Sequence, residues 1–190
     1  MFKEKNIYTR FFNLMGFSLI NHPPPEMRKC ILLFAPHTSN WDYILGLTCM
    51  RGLRMPVKVV IKKMWTKFPF GLIIKPLGGI GITRSDKKGA SQVDKIANLI
   101  SDYPEIALVV TPEGSRSLRT EWKTGFYYIA QKANLPIITI KGNYKNKTAE
   151  FGPVIQPGTE FEPAMKIIAS YYADSEAKFP ENFSVDQRYI

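Results

Sequence analysis

From residue 29 onward, short apolar runs of strand length alternate with segments of helical spacing, and this alternation constrains the fold more than any other feature. The apolar runs are Cys30–Ala35, Val57–Ile61, Ile80–Thr83, Ile106–Val110, Pro136–Ile140 and Ala149–Ile155. The segments with helical spacing are Trp41–Arg51, Ala90–Ile100, Gly125–Ala133 and Ala164–Tyr172. The pattern predicts a single-domain α/β fold with a mostly parallel central sheet flanked by helices. In such sheets the loops at the carboxyl ends of the strands usually hold the chemistry.

The charge balance indicates partners that carry negative charge. The 190 residues include 26 Lys or Arg and 16 Asp or Glu, which gives a net charge of +10. Such a surface favours nucleic acid, anionic lipid or phosphorylated substrates. Cys30 and Cys49 both lie in apolar runs. They are interpreted as buried thiols of a protein in a reducing compartment.

Residues 1–22 are predicted to be an amphipathic helix and linker ahead of a domain at 23–190. The three prolines that start at Pro23 are typical of a short stiff linker. The helix at Met1–Ile20 suits a membrane interface, and packing on its own domain explains it equally well. Since no run reaches 18 apolar residues and no secretory signal is visible, we expect a cytoplasmic protein without a spanning helix.

The first loop with candidate chemistry follows the strand Cys30–Ala35 and contains His37 and Asp42. A strand-to-helix turn can fold back so that the carboxylate meets one imidazole nitrogen. The carboxylate would then fix the tautomer and leave the other nitrogen free as a general base. A helix-capping aspartate beside a surface histidine explains the same spacing. With His22 as the only other histidine, the sequence predicts no metal site.

A second loop, around the strand Ile80–Thr83, contains Gly79, Gly81 and Arg84. Glycines let the backbone approach a ligand closely, and an arginine at a strand end can hold a phosphate through two hydrogen bonds. Glycines in a tight strand beside a solvated arginine explain the pattern equally well.

A third loop follows the strand Ile106–Val110 and contains Glu113, Gly114, Ser115 and Arg116. It can present a carboxylate, backbone N–H groups and a guanidinium to one polar ligand. A charged surface turn is the alternative interpretation.

Taken together, in this order and spacing, the three loops resemble the motifs of the glycerophospholipid acyltransferase family. The first motif of that family is a histidine and an aspartate separated by four residues, as His37 and Asp42 are. The second is a glycine followed five residues later by an arginine, as Gly79 and Arg84 are. The third is matched by Pro112–Arg116. The resemblance spans about residues 30–141.

The resemblance implies a fold of the glycerol-3-phosphate acyltransferase type and an O-acyltransferase activity. A fatty acyl group would pass from acyl-CoA or acyl carrier protein to a hydroxyl of a lysophospholipid such as lysophosphatidic acid, with no further cofactor. His37 would be the general base and Asp42 would orient it. The substrate-binding residues implied are Lys62, Gly79, Arg84, Glu113, Gly114, Ser115 and Arg116. Arg84 and Arg116 would hold phosphate with Lys62 as a supporting cation, and Glu113 would either bind acceptor hydroxyls or orient Arg116.

An enzyme of this kind must reach an insoluble acceptor. The basic segment 51–76, with Trp65, Phe68 and Phe70, suits docking on an anionic leaflet, so we expect peripheral association with the inner membrane. The same segment could instead line an internal acyl tunnel. Other functions considered are acylation of a non-phosphate acceptor such as a lyso-aminolipid, and non-catalytic binding of lipid or nucleic acid. The motif carboxylate Glu113 and the His37–Asp42 pair argue against nucleic acid.

Overall fold

Seven strands form one sheet in the computed structural model, which describes residues 6–82 and 91–190. The strands are β1 (Ser18–Leu19), β2 (Lys29–Ala35), β3 (Val57–Lys62), β4 (Gly79–Ile82), β5 (Ile106–Val110), β6 (Ile137–Asn143) and β7 (Thr148–Ile155). Their order across the sheet is β1-β7-β6-β2-β5-β3-β4. Every neighbouring pair is parallel except the antiparallel hairpin of β6 and β7. The predicted mostly parallel α/β sheet is confirmed.

Helices flank both faces of the sheet. Those in the described residues are α1 (Ile7–Leu14), α2 (Asn40–Gly52), α3 (Gly71–Ile74), α4 (Gln92–Ser101), α5 (Gly125–Ala133) and α6 (Phe161–Tyr172). The predicted helices correspond to α2, α4, α5 and α6 with small differences at their ends. The one-turn α3 was not predicted, because prolines and a glycine interrupt the apolar sequence around it.

Strand β2 is at the centre of the core because it is covered on both faces. Ile31 and Leu33 pack on the side of α4, α5 and α6. Leu32 and Phe34 pack on the side of α1 and α2. All four side chains are buried, as expected for a continuous apolar run in a parallel sheet. The loop that follows Ala35 therefore starts from a rigid position.

The N-terminal segment forms a shorter helix than predicted and joins the sheet. Helix α1 ends at Leu14, and β1 pairs with β7; residues 1–5 lie outside the described part of the chain. Phe12 and Phe17 are buried against the α2 side of the core, so one face of α1 packs on the domain. The other face leaves Ile7, Phe11 and Leu14 exposed. None of the described helices is long and apolar enough to cross a membrane.

Candidate active site

The first and third motif loops meet because they follow adjacent parallel strands. β2 pairs with β5, so the residues after Ala35 and after Val110 leave the same edge of the sheet side by side. A hydrogen bond joins the two loops, since the backbone N–H of His37 donates to Oε1 of Glu113 at 2.8 Å. The expectation that chemistry gathers at this edge holds for these two loops.

Asp42 caps helix α2 and also lies beside His37, so both interpretations of the His–Asp spacing apply. Its Oδ2 accepts the backbone N–H groups of Thr38 and Ser39, each at 2.7 Å. The Ser39 hydroxyl in turn accepts the N–H of Trp41, which makes Ser39 the N-cap of α2. The reciprocal bonds form a capping box. They hold the carboxylate at a fixed place, 3.7 Å from Nδ1 of His37.

The environment of His37 favours the neutral imidazole. Burial lowers its pKa, the nearby charge of Asp42 opposes that shift, and the charge of Arg116 lowers the pKa further. Among the described residues, the buried Nδ1 has no hydrogen-bond partner, and Oδ2 of Asp42 lies 3.7 Å from it. A separation of this kind often shortens to a hydrogen bond only when substrate binds. A neutral ring beside a fixed carboxylate is the arrangement that a general base requires.

Glu113 is buried, with 3% of its surface exposed. Burial raises its pKa to about 7, against the hydrogen bond from the His37 backbone, which lowers it. Its second oxygen, Oε2, has no hydrogen-bond partner in the part of the chain that the structure describes. The sequence offered two roles for Glu113, binding acceptor hydroxyls or orienting Arg116. In the structure Arg116 instead donates to the side chain of Asn40 at the start of α2.

The other residues of the third loop line its exposed side. Gly114 has a φ of +63°, a conformation that glycine adopts without strain, and a Cβ there would collide with the side chain of Lys123. Ser115 bonds within the loop, to the backbone of Ser117. Lys123 was not predicted as a site residue. It adds a second cation beside Arg116 on the loops after β5.

Of the second motif, the structure describes Gly79 but not Arg84. Gly79 begins β4, at the end away from the motif loops, and a Cβ there would lie 2.3 Å from Ile74 of α3; close packing accounts for this glycine. Lys62 ends β3 and is exposed. Arg84 lies outside the described residues.

An apolar cavity of about 350 Å³ opens beside His37 and Asp42. It lies next to the last paired residues of β3 and β5, Val59 and Val109. Its walls are mainly aliphatic or aromatic side chains from β2, α2, β3, α4, β5 and α5, namely Phe34, Leu47, Met50, Val57, Val59, Val60, Ile96, Leu108, Val109, Val110, Phe126 and Ile129. Such a space suits a hydrocarbon chain whose reactive end is at the His37 side.

Residues far from the motifs also reach the first loop. The hydroxyl of Tyr144 donates to Oδ1 of Asp42 at 2.7 Å, and the backbone N–H of Phe179 donates to Oγ1 of Thr38 at 3.2 Å. Lys178, also after α6, lies near the first loop, with its ammonium 5.0 Å from the ring centre of the half-exposed Trp41. No sequence motif marks these residues, because the β6–β7 hairpin and the segment after α6 bring them in.

The fold and the site together are typical of an enzyme: a histidine–aspartate pair lies at the carboxyl edge of an α/β sheet, and an apolar cavity opens beside it. The family described as Acyltransferase matches residues 20–141, a range that contains all three motif loops. Because this match covers more than half of the sequence, the chain belongs to the acyltransferase family.

Among solved structures, the fold is similar to that of the 1-acyl-sn-glycerophosphate (LPA) acyltransferase PlsC from Thermotoga maritima. The two chains are 15% identical, and the match covers 86% of this chain and 71% of that one with a TM-score of 0.56. At this identity the likeness is one of fold. No curated protein matches the chain significantly.

Proposed function

We propose that this acyltransferase moves a fatty acyl group from a thioester, acyl-CoA or acyl carrier protein, to a hydroxyl of a lysophospholipid such as lysophosphatidic acid, as a step of phospholipid biosynthesis. The observation that carries the proposal is the neutral imidazole of His37, beside Asp42, at the mouth of an apolar cavity. The three features match the three needs of the reaction, which are a base, a fixed orientation of that base and a place for the acyl chain.

The reaction proceeds without an acyl-enzyme. Nε2 of His37 takes the proton of the acceptor hydroxyl while that oxygen attacks the thioester carbonyl carbon; a positioned base of this kind contributes ~10²–10⁴-fold. The tetrahedral intermediate breaks its C–S bond, and the imidazolium returns the proton to the departing sulfur. The products are an ester and a free thiol. Asp42 stabilises the imidazolium between the two steps. Cys30 and Cys49 are buried, so no thiol of the described structure takes part.

The acyl chain lies in the cavity in this proposal. Three valines of β3 form part of its wall, Val57, Val59 and Val60, which supports the interpretation that this part of segment 51–76 lines an acyl tunnel. Phe68 and Leu72, which follow β3, are exposed, and their exposure supports the interpretation that this later part docks on a membrane.

Cations near the mouth of the cavity favour an acceptor that carries phosphate. Arg116 and Lys123 lie on the loops that follow β5, and Arg84 and Lys62 are the further cations that the family resemblance implies. Gly114 and Ser115 give the third loop its shape. Gly79 is the further substrate-binding residue that the family resemblance implies, and it begins β4 in close packing with Ile74 of α3. Oε1 of Glu113 accepts the backbone N–H of His37. Its other oxygen, Oε2, is proposed to accept a hydrogen bond from a hydroxyl of the lipid that receives the acyl group. A lyso-aminolipid acceptor would not need the cations.

The enzyme reaches its acceptor from an anionic membrane surface, the inner membrane seen from the cytoplasm. Large apolar side chains stand exposed around α3, and we name them the α3 surface: Met64, Phe68, Phe70, Leu72 and Ile73. Basic side chains at Lys63, Lys67 and Lys75 accompany them. The side chain of Trp65, also predicted here, lies outside the described part. Apolar area combined with cations is the composition that binds an anionic leaflet.

The test is a thiol-release assay with acyl-CoA and with acyl carrier protein, against lysophosphatidic acid, other lysophospholipids and a lyso-aminolipid. We expect ester formation with a lysophospholipid, and His37→Ala should reduce it by at least ~10²-fold because no base remains. His22→Ala is the matched control, since His22 lies on the exposed segment before β2. Full turnover by His37→Ala would overturn the mechanism. Transfer to the lyso-aminolipid alone would replace the proposed acceptor.

A further inference from the structure

Tyr144 lies outside the motif loops and outside the residues that the family matches, yet it contacts the proposed catalytic pair. It follows β6, in the turn of the β6–β7 hairpin. Its hydroxyl donates to Oδ1 of Asp42 at 2.7 Å. A phenol and a carboxylate at this distance form a charge-assisted hydrogen bond, which is stronger than a bond between neutral groups.

The Asp42 carboxylate accepts hydrogen bonds on both of its oxygens, and Tyr144 supplies the one to Oδ1. Oδ2 of Asp42 accepts two backbone N–H groups, from Thr38 and Ser39. Oδ2 also faces Nδ1 of His37 at 3.7 Å, which leaves Oδ1 for a further donor. In the described residues, Tyr144 is the one side chain that donates a hydrogen bond to Asp42. Its hydroxyl holds Oδ1, so both oxygens of the carboxylate have a partner that fixes their position.

Two further contacts hold the phenol in place. The ring of Phe17 packs edge-on against the Tyr144 ring, with centroids 5.3 Å apart. The backbone N–H of Tyr144 donates to the carbonyl of Glu176 at 2.8 Å. The N-terminal segment and the segment after α6 therefore both support the hydroxyl that reaches Asp42.

We propose that Tyr144 is a positioning residue of the His37–Asp42 pair, one that orients the Asp42 carboxylate. The hydrogen bond from the phenol also draws on the negative charge of that carboxylate, so less of this charge acts on the His37 imidazole. The inference rests on the proposed function in so far as His37 is the base.

The first test is an NMR titration of the imidazole groups in Tyr144→Phe, which keeps the ring against Phe17 and removes only the hydroxyl. The chain has just two histidines, so His37 can be followed with His22 as an internal reference. Around His37 the charged groups are Asp42, Arg116 and Glu113, and Lys178 lies 5.9 Å from the Tyr144 ring centre. All remain in the variant. Without the phenol hydrogen bond, more of the negative charge of Asp42 acts on the imidazole. The pKa of His37 should therefore rise by about half a unit.

The second test is kinetic. Tyr144→Phe should lower kcat roughly 10-fold, the factor expected for loss of a hydrogen bond to a charged group, with KM for donor and acceptor unchanged. The acid limb of the kcat profile should move to higher pH. Tyr171→Phe is the matched control, since the Tyr171 hydroxyl also makes a 2.7 Å bond, to the carbonyl of Glu150, and it does not contact Asp42.

The outcomes separate this inference from the proposed function. An unchanged His37 titration in Tyr144→Phe overturns the positioning role, whatever the activity. An equal loss of kcat in Tyr144→Phe and Tyr171→Phe overturns it too, because the effect would then be general. If the wild-type protein transfers no acyl group while the His37 titration still shifts, the proposed function fails and the coupling between Tyr144 and the pair stands.

Discussion

At the scale of single residues, Glu113 has the most unusual environment of the site. Its carboxyl is buried, one oxygen is unpartnered, and its pKa is raised to about 7 from the ordinary 4.5. The folded protein therefore binds a proton more tightly than the unfolded chain does. Stability falls as the pH rises from about 4.5 to about 7, and the full destabilisation is present above that range.

Glu113→Gln removes this titration while an amide oxygen can still accept the His37 N–H. We expect the variant to be more stable than the wild type at pH 8, by about 1–3 kcal/mol. The difference should shrink to near zero at about pH 4.5, where the wild-type carboxyl is already neutral. Urea unfolding at both pH values measures it. A stability difference that is the same at both would show that the Glu113 carboxyl does not titrate in this range.

At the scale of elements, the C-terminal segment stabilises the turn that leads into α5. Asp186 is fully buried and accepts the backbone N–H of Trp122 at 3.1 Å. Arg188 pairs with the same carboxylate at 2.8 Å, and the indole N–H of Trp122 donates to the carbonyl of Ser184. Trp122 itself packs edge-on against Tyr172 of α6. The segment thus closes the core on the side of α5 and α6.

Asp186→Ala should reduce the free energy of unfolding by about 2–4 kcal/mol, because it leaves a buried N–H without an acceptor and Arg188 without its partner. Asp186→Asn should cost less, since its amide oxygen can still accept the Trp122 N–H. The control is Glu162→Ala, which breaks an ion pair with Lys166 in which both side chains are exposed and should cost under about 1 kcal/mol. Equal losses for Asp186→Ala and Glu162→Ala would contradict this account.

At the scale of the whole molecule, apolar surface and positive charge are combined around α2. The backbone carbonyl of Pro76, after α3, accepts a hydrogen bond from Arg51 of α2, and α1 packs on the same side of the sheet. The exposed residues of α1 and the α3 surface therefore border one helix. With a net charge of +10, the molecule should be drawn to anionic bilayers more than to neutral ones.

We expect the protein to sediment with vesicles that contain an anionic lipid, and binding should weaken as salt shortens the range of the charges. Phe68→Ser combined with Leu72→Ser should release it, since the two side chains are 85% and 70% exposed and their loss does not disturb the core. Ile167→Ser, an exposed position on α6 across the sheet, is the control. Vesicle binding by the double variant at the level of the wild type would remove the α3 surface from the proposal.

The sequence by itself determined the strands β2 to β7, most of the helices and the candidate catalytic pair. Those features depend on local periodicity and on motif spacing, which are carried within a few neighbouring residues. The burial of β2 on both faces follows from its continuous apolar run, and His37 meets Glu113 because β2 and β5 are adjacent and parallel.

Only the tertiary structure decided which distant residues complete the site. Tyr144 and Asp42 are 102 positions apart, and they meet because the sheet order sets β6 beside β2 and the hairpin turn projects over α2. The cavity likewise depends on where β3 and β5 stop pairing. Contacts of this kind are fixed by the order of strands and the packing of helices, which hydrophobic periodicity along the chain does not encode.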